Sequence, residues 1–287
     1  MRTGERDASG MTAAVHAASA SLPPIGVLVV PHRFADRLDA AQATGAADAA
    51  AFGEEHPDAV DRVLITNWAV MQADFPPNSD AADLAELHAL AKTRTAKGIA
   101  AARFWADHGL DSIWEAKLEE YARHVGPAQA VAARKLLHDA LMMTNTATSS
   151  AKSSMLRKRP FVVDPTLKLA VPRPGNNPSY PSGHTSSAYA ACIVLAHLMP
   201  DRAEEFLQIA REASFSRIYG GVHFPTDVLA GARIGSTVAT FLATRSDTVP
   251  VLGTNGTNPG VAGTRRALPG AVRLAGRPLL EVVPQAV

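Results

Sequence analysis

Residues 216–244 read SRIYGGVHFPTDVLAGARIGSTVATFLAT, and the reading of this stretch decides the fold. Pro225 suits a first helical position, and the mainly apolar residues after it predict a helix over 225–244. The apolar run 228–243 is interrupted by Arg233 and falls short of the roughly 18 uninterrupted apolar residues of a membrane span. The other apolar run, 188–199, is shorter still. The chain is therefore expected to be soluble, with no integral membrane span.

Working outward, helices are predicted at about 184–198, 201–215, 127–155, 111–125 and 100–108, with Gly109 and Gly126-Pro127 as punctuation. Ile113, Trp114, Leu118 and Tyr121 are spaced as a helical core face. Another helix carries Leu84, Leu87, His88 and Leu90, capped by Ser79 or Asp80 after the break at Phe75-Pro76-Pro77-Asn78. Val60, Leu64, Asn67, Trp68 and Met71 follow three-four spacing and are expected to form a buried face. Ile25 to Val30 suggests one short extended segment, and the Pro-rich stretch 160–181 is expected to be irregular. No run of alternating strands occurs, so the fold class is all-α, a multi-helix bundle. The catalytic domain is placed at 36–245, after a loose arm at 1–35. A Gly/Pro-rich tail at 246–287 is expected to be disordered or loosely docked.

The 287 residues are 47% hydrophobic and 19% charged, enough apolar material for one large core. A net charge of +1 gives no broad attraction to nucleic acid, so none is expected as a partner. The single cysteine, Cys192, excludes an internal disulfide and lies in an apolar run, where a buried, inert thiol is expected. Ala18-Ser19-Ala20 looks like a signal-peptidase site, but the residues before it lack an apolar core and include Glu5 and Asp7.

Three segments at helix ends carry the chemistry. They are Ser150-Ala151-Lys152 with Arg157-Lys158-Arg159-Pro160-Phe161; Ser179-Tyr180-Pro181-Ser182-Gly183-His184-Thr185; and Ser216-Arg217 with Gly220-Gly221, His223 and Asp227. Phosphoryl transfer needs donors around the non-bridging oxygens, an in-line nucleophile and a proton for the leaving oxygen. Arg159 and Arg217 supply bidentate guanidinium groups and Lys152 a compact cation. Ser182 and Gly183 open a helix, where anions are favoured. Asp227 is placed to accept from His223 Nδ1–H, which leaves Nε2 free to attack phosphorus. His184 is the candidate general acid: the helix end lowers its pKa, and a bound phosphate outweighs that effect. Arg157 and Lys158 are read as setting the site's field rather than touching substrate. Asp139 and Asn145 are candidates for shaping the pocket. The remaining histidines, His16, His32, His56, His88, His108, His124, His138 and His197, show no paired ligand spacing, and no metal site is expected.

Lys-x6-Arg-Pro, Pro-Ser-Gly-His and Ser-Arg-x5-His-x3-Asp, in this order, resemble the signature of the type 2 phosphatidic acid phosphatase superfamily. That superfamily also holds bacterial class A nonspecific acid phosphatases and vanadium-dependent haloperoxidases. Eleven specified residues match, and the finer match, at Ser-Ala-Lys, Arg-x-Arg-Pro-Phe and Ser-Tyr-Pro-Ser-Gly-His-Thr, is to the acid phosphatases. The resemblance covers about 136–241. It implies a helical fold, a phosphohistidine on His223, protonation of the leaving group by His184, and phosphate held by Lys152, Arg159, Ser182, Gly183 and Arg217. It further implies no cofactor, a small phosphorylated substrate, phosphotransfer to alcohols as a side activity, and a periplasmic or secreted location, and it leaves a homodimer open. The alternative within the same resemblance is a haloperoxidase whose pocket holds vanadate on His223. A membrane-surface lipid phosphatase and an inactive phosphate-binding protein rank below it.

Overall fold

The computed structural model describes residues 26–58, 62–73, 81–108, 112–175, 177–246 and 252. Its regular elements are α1 (His32–Glu55), α2 (Arg62–Gln72), α3 (Ala81–Thr93), α4 (Ala96–His108), α5 (Ser112–Ala122), α6 (Pro127–Met155) and the single turn α7 (Pro160–Val163). After an irregular stretch come α8 (Gly183–Leu198), a 3₁₀ turn (Pro200–Arg202), α9 (Ala203–Tyr219) and α10 (Pro225–Thr244). The described residues contain no strand, so the all-α bundle expected from sequence is the observed architecture.

The core is built around α8. Ala188 to Cys192 are all fully buried, as are Val194 and Leu195, so this helix is apolar on every side and needs neighbours all round. α6, α9 and α10 surround it, and α1 closes over the far side of α10. Small residues let α10 come this close. A Cβ on Gly231 would stand 2.6 Å from the Ser182 carbonyl oxygen, and one on Gly235 would collide with the Ser186 carbonyl. The same close approach fixes the start of α8, where the Pro-Ser-Gly-His segment lies, against the first turns of α10.

Several sequence expectations are corrected. The buried positions are Ile65, Thr66 and Ala69 in α2 and Ala73 just past its end, whereas Leu64 and Met71 are 44% and 71% exposed and Asn67 is also exposed. Two stripes fit the helical period here, and the small-residue stripe wins because it allows α2 to pack close to α6 and α10. Trp68 is half-buried, its indole N–H donating to the Asp48 carbonyl at 3.0 Å. The segment expected to be extended is a turn and bends at 26–28; Leu28 is buried, and Glu212 accepts from the Gly26 N–H. Residues 26–35, grouped with the arm, thus pack on the bundle, and α1 begins at His32. α9 runs four residues beyond its expected end, which places Ser216 and Arg217 in its last turn. Leu252, grouped with the tail, is buried and donates to the Leu198 carbonyl at 2.9 Å. Asn145 is exposed. Asp139 pairs with Lys135 one turn back on α6, about 20 Å along the helix from Lys152. Neither shapes the site. Residues 1–25 and 253–287, Val60, the break at 75–78 with its candidate caps, and Gly109 lie outside the described residues.

The glycine contacts give a stability test. Alanine normally gains about 1 kcal/mol over glycine inside a helix, but overpacking a core costs about 1–3 kcal/mol. Gly235→Ala, forced against backbone rather than a flexible side chain, should lower the urea unfolding midpoint; an unchanged or raised midpoint would contradict this packing.

Candidate active site

The three predicted segments converge at one end of α8. α6 delivers Lys152 in its last turn and stops at Leu156, whose φ of 49° is left-handed and turns the chain toward Arg157 and Arg159. α9 delivers Arg217, and the chain then reverses through Gly221 at φ 80°. That positive φ is what favours glycine here; a Cβ would in addition press on Leu169 Cδ2 at 3.0 Å. This reversal presents His223 just ahead of α10, with Asp227 in the first turn.

His223 is 3% exposed and Asp227 wholly buried. His223 Nδ1 lies 3.3 Å from Asp227 Oδ2, which also accepts from Ser179 Oγ at 2.6 Å and from the Phe224 N–H at 2.9 Å. The other oxygen, Oδ1, accepts from Arg157 at 2.6 Å. His223 Nε2 lies 3.1 Å from Arg159 Nη1. With Nδ1–H toward the carboxylate and Nε2 accepting from a guanidinium, the neutral ring has its lone pair on Nε2. Burial, then the charges of Arg159, Lys152 and Arg217, hold His223 well below the usual imidazole range. Burial raises the Asp227 carboxyl, and Arg157 and the donors around it act in the opposite sense.

The two arginines differ. Arg159 is largely engaged by protein: Nε and Nη2 donate to the backbone and side-chain oxygens of Asn177 at 3.1 and 2.6 Å, and Nη1 donates to the Val222 carbonyl at 2.7 Å. Arg217 is 3% exposed, and its Nε and Nη1 are buried with no hydrogen-bond partner among the described residues. Burial first, and Arg159 second, push its pKa down to about 10. Lys152 donates to the Pro178 carbonyl at 2.6 Å and is pushed down to about 8 by burial and by Arg159, with Asp227 opposing. Three cations thus share a buried region in which the Asp227 carboxylate is hydrogen-bonded to Arg157 and Asp107 acts on Arg217 only through space.

Ser182 caps α8 and is fully buried. Its Oγ accepts from the Thr185 hydroxyl at 3.0 Å and from the Thr185 N–H at 3.4 Å, and its own N–H donates to the Asp227 carbonyl at 2.9 Å. A Cβ on Gly183 would meet only Thr148 Cγ2, at 3.9 Å, so the space beside this helix start is open. His184 Nε2 lies 3.2 Å from the Ala106 carbonyl in α4. Burial, followed by Arg217, pulls its pKa down to about 3, with the Ala106 carbonyl acting in the opposite sense.

Every predicted site residue therefore belongs to this one region. The reading of Arg157 changes most: its side chain is 8% exposed and ion-paired with Asp227, whereas Lys158 is exposed. Ser179, Asn177 and Asp83 were not read as site residues. Ser179 stands inside the quoted Ser-Tyr-Pro-Ser-Gly-His run, and that position was its only signal. Cys192 is buried as expected, and burial pushes its thiol up to about 12. Among the described residues, no three His, Cys, Asp or Glu side chains are grouped as for a metal ion. No described helix is long and apolar enough to cross a membrane.

Residues 136–249 match the PAP2 superfamily. Over 96 residues the chain is 38% identical to a non-specific acid phosphatase of Salmonella typhimurium, covering 31% of this chain and 37% of that one. Over 121 residues it is 36% identical to an acid phosphatase of Zymomonas mobilis subsp. mobilis, covering 40% and 46%. The matched segment spans less than half the length of these curated relatives. Among solved structures, a bacterial vanadium-dependent iodoperoxidase shares the fold at a TM-score of 0.50 and 22% identity, covering 58% of this chain and 50% of that one. All the predicted site residues lie within the segment 136–249 that matches the PAP2 superfamily.

Proposed function

We propose that this protein is an acid phosphatase, hydrolysing phosphomonoesters through a phosphohistidine on His223 without a metal ion. The observation that carries the reading is the Arg217 guanidinium, buried with two unpartnered nitrogens beside Lys152 and Arg159. Burying an unpaired cation costs several kcal/mol, and a phosphoryl dianion is a ligand that recovers it through charge-assisted hydrogen bonds. The resemblance of the segment to acid phosphatases points to the same chemistry.

In this mechanism Lys152, Arg159, Arg217, Ser182 and the Gly183 N–H hold the non-bridging oxygens. Both lone pairs of Ser182 Oγ are taken by Thr185, so its proton is directed to the ligand. His223 Nε2 attacks phosphorus, the bond from phosphorus to the ester oxygen breaks, and His184 gives its proton to that oxygen. Asp227 stabilises the positive charge that develops on the His223 ring. Water then attacks the phosphohistidine, neutral His184 takes the water's proton, and orthophosphate leaves with His223 regenerated. An alcohol in place of water gives phosphotransfer.

The pKa directions set the pH dependence. His223 must be neutral to attack, and burial with the surrounding cations, which hold its pKa well below the usual imidazole range, favours that form. His184 must be protonated, and the cations that lower its pKa are the groups a phosphate dianion neutralises. Activity therefore declines as pH rises through the His184 pKa of the substrate complex.

Two measurements test this. The chain should hydrolyse p-nitrophenyl phosphate best between about pH 5 and 7, unaffected by excess EDTA and inhibited by orthovanadate. Absence of turnover, with vanadate-dependent oxidation of bromide by peroxide instead, would replace the phosphatase reading by the haloperoxidase one. Arg217→Met should lower kcat by roughly 100-fold or more, the scale for losing an oxyanion donor. It should leave Tm unchanged or raised, because it removes an unpaired buried charge. A lowered Tm with intact kcat would contradict the assignment of Arg217 to substrate.

A further inference from the structure

The two oxygens of the buried Asp227 carboxylate have separate partners. Oδ2 serves His223, Ser179 and the Phe224 N–H, while Oδ1 accepts from Arg157 Nη1 at 2.6 Å. Arg157 is itself held on several sides. Its guanidinium carbon lies 4.0 Å from the centroid of the Phe224 ring, and Nη1 also donates to Thr226 Oγ1 at 2.7 Å. From α3, outside the segment that matches the superfamily, Asp83 Oδ2 accepts from Thr226 Oγ1 at 2.5 Å and lies 3.5 Å from Arg157 Nη2.

We propose that Arg157 is a positioning residue for the nucleophile: it holds Asp227 ionised with Oδ2 turned to His223 Nδ1, and Asp83 anchors Arg157 from α3. This rests on the phosphohistidine reading for its catalytic meaning, but its structural content stands apart from it. The physical reason is the choice of tautomer. An ionised Asp227 only accepts, so Nδ1 must carry the ring proton and Nε2 keeps the lone pair. A protonated Asp227 donates to Nδ1, which moves the ring proton to Nε2 and removes the nucleophile. The charged groups acting on Asp227 are His223, Arg157, Lys152 and Arg159, with Asp83 one step behind Arg157. Lys152 donates to the Pro178 carbonyl and Arg159 to Asn177, Val222 and the His223 ring, which leaves Arg157 as the cation hydrogen-bonded to the carboxylate. With it removed, a fully buried carboxylate takes up a proton at higher pH.

The test compares the wild type with Arg157→Met, Arg157→Lys and Asp83→Asn in the full chain. Long-range ¹H–¹⁵N spectra of histidine-labelled protein give the His223 tautomer, and p-nitrophenyl phosphate kinetics give the pH profile. The expected wild-type ring is the Nδ1–H tautomer. Arg157→Met should shift it toward Nε2–H, move the acid limb of kcat to higher pH and lower kcat by about tenfold or more, the scale for outer partners of a reacting group, with KM little changed. Arg157→Lys should recover part of each effect, and Asp83→Asn should show a smaller change in the same direction. An unchanged tautomer and acid limb in Arg157→Met would overturn the proposal. Where that variant does not fold, the same result in both Arg157→Lys and Asp83→Asn would overturn it. A wild type without phosphatase turnover would sink the proposed function, while the tautomer comparison would still decide the role of Arg157.

Discussion

The Asp227 carboxylate is wholly buried, and a charged group in that position is tolerated only where donors surround it. Its donors come from distant parts of the chain: Arg157 after α6, Ser179 before α8, and His223 with the Phe224 N–H before α10. Its backbone carbonyl adds the Ser182 N–H. Satisfying one residue therefore brings the irregular stretch, the start of α8 and His223 to a common centre. The scaffold makes this possible through helix separation, because Gly231 and Gly235 let α10 approach α8 closely enough for the Ser182 and Asp227 backbones to bond.

Around that centre the charge balance is uneven by construction. Lys152, Arg159 and Arg217 are all lowered in pKa by burial, and the charge of Arg159 lowers Lys152 and Arg217 further. Arg159 is satisfied largely by Asn177 and Val222, whereas Arg217 is not. The fold thus tolerates a destabilising cation where an anionic substrate would bind, a form of stored cost common at sites preorganised for charge. The same electrostatics explain how two histidines in one pocket can take opposite roles. Both are lowered by burial and by Arg159, Lys152 and Arg217, but His223 is bonded to Asp227 and Arg159, whereas at His184 the Ala106 carbonyl opposes the lowering.

Much of this was legible in the sequence, and the reasons are local. Helix ends announce themselves through Pro127, Ser182, Pro225 and Gly126, and the chemistry-bearing residues sit beside those ends. The buried face of α5, Ile113, Trp114, Leu118 and Tyr121, is of one kind and was read correctly. The face of α2 was not, because Leu64 and Met71 outrank Ala69 and Ala73 in size while both sets satisfy the helical period; close packing chose the smaller set. Arg157 and Arg159 look alike in sequence, and only the tertiary fold assigns one to the Asp227 carboxylate and the other to Asn177, Val222 and the His223 ring. Asp83 carried no signal at all, since its partner Thr226 lies 143 residues away.

The central claim is that this buried cluster makes His223 Nε2 a nucleophile toward phosphorus. The most direct measurement is acid-free quenching of the chain during turnover of a labelled phosphomonoester, followed by mapping of the phosphorylated residue. The account predicts an alkali-stable, acid-labile phosphoryl group on His223, absent from His223→Ala. Turnover with no covalent label, or with the label on a serine or another histidine, would contradict it.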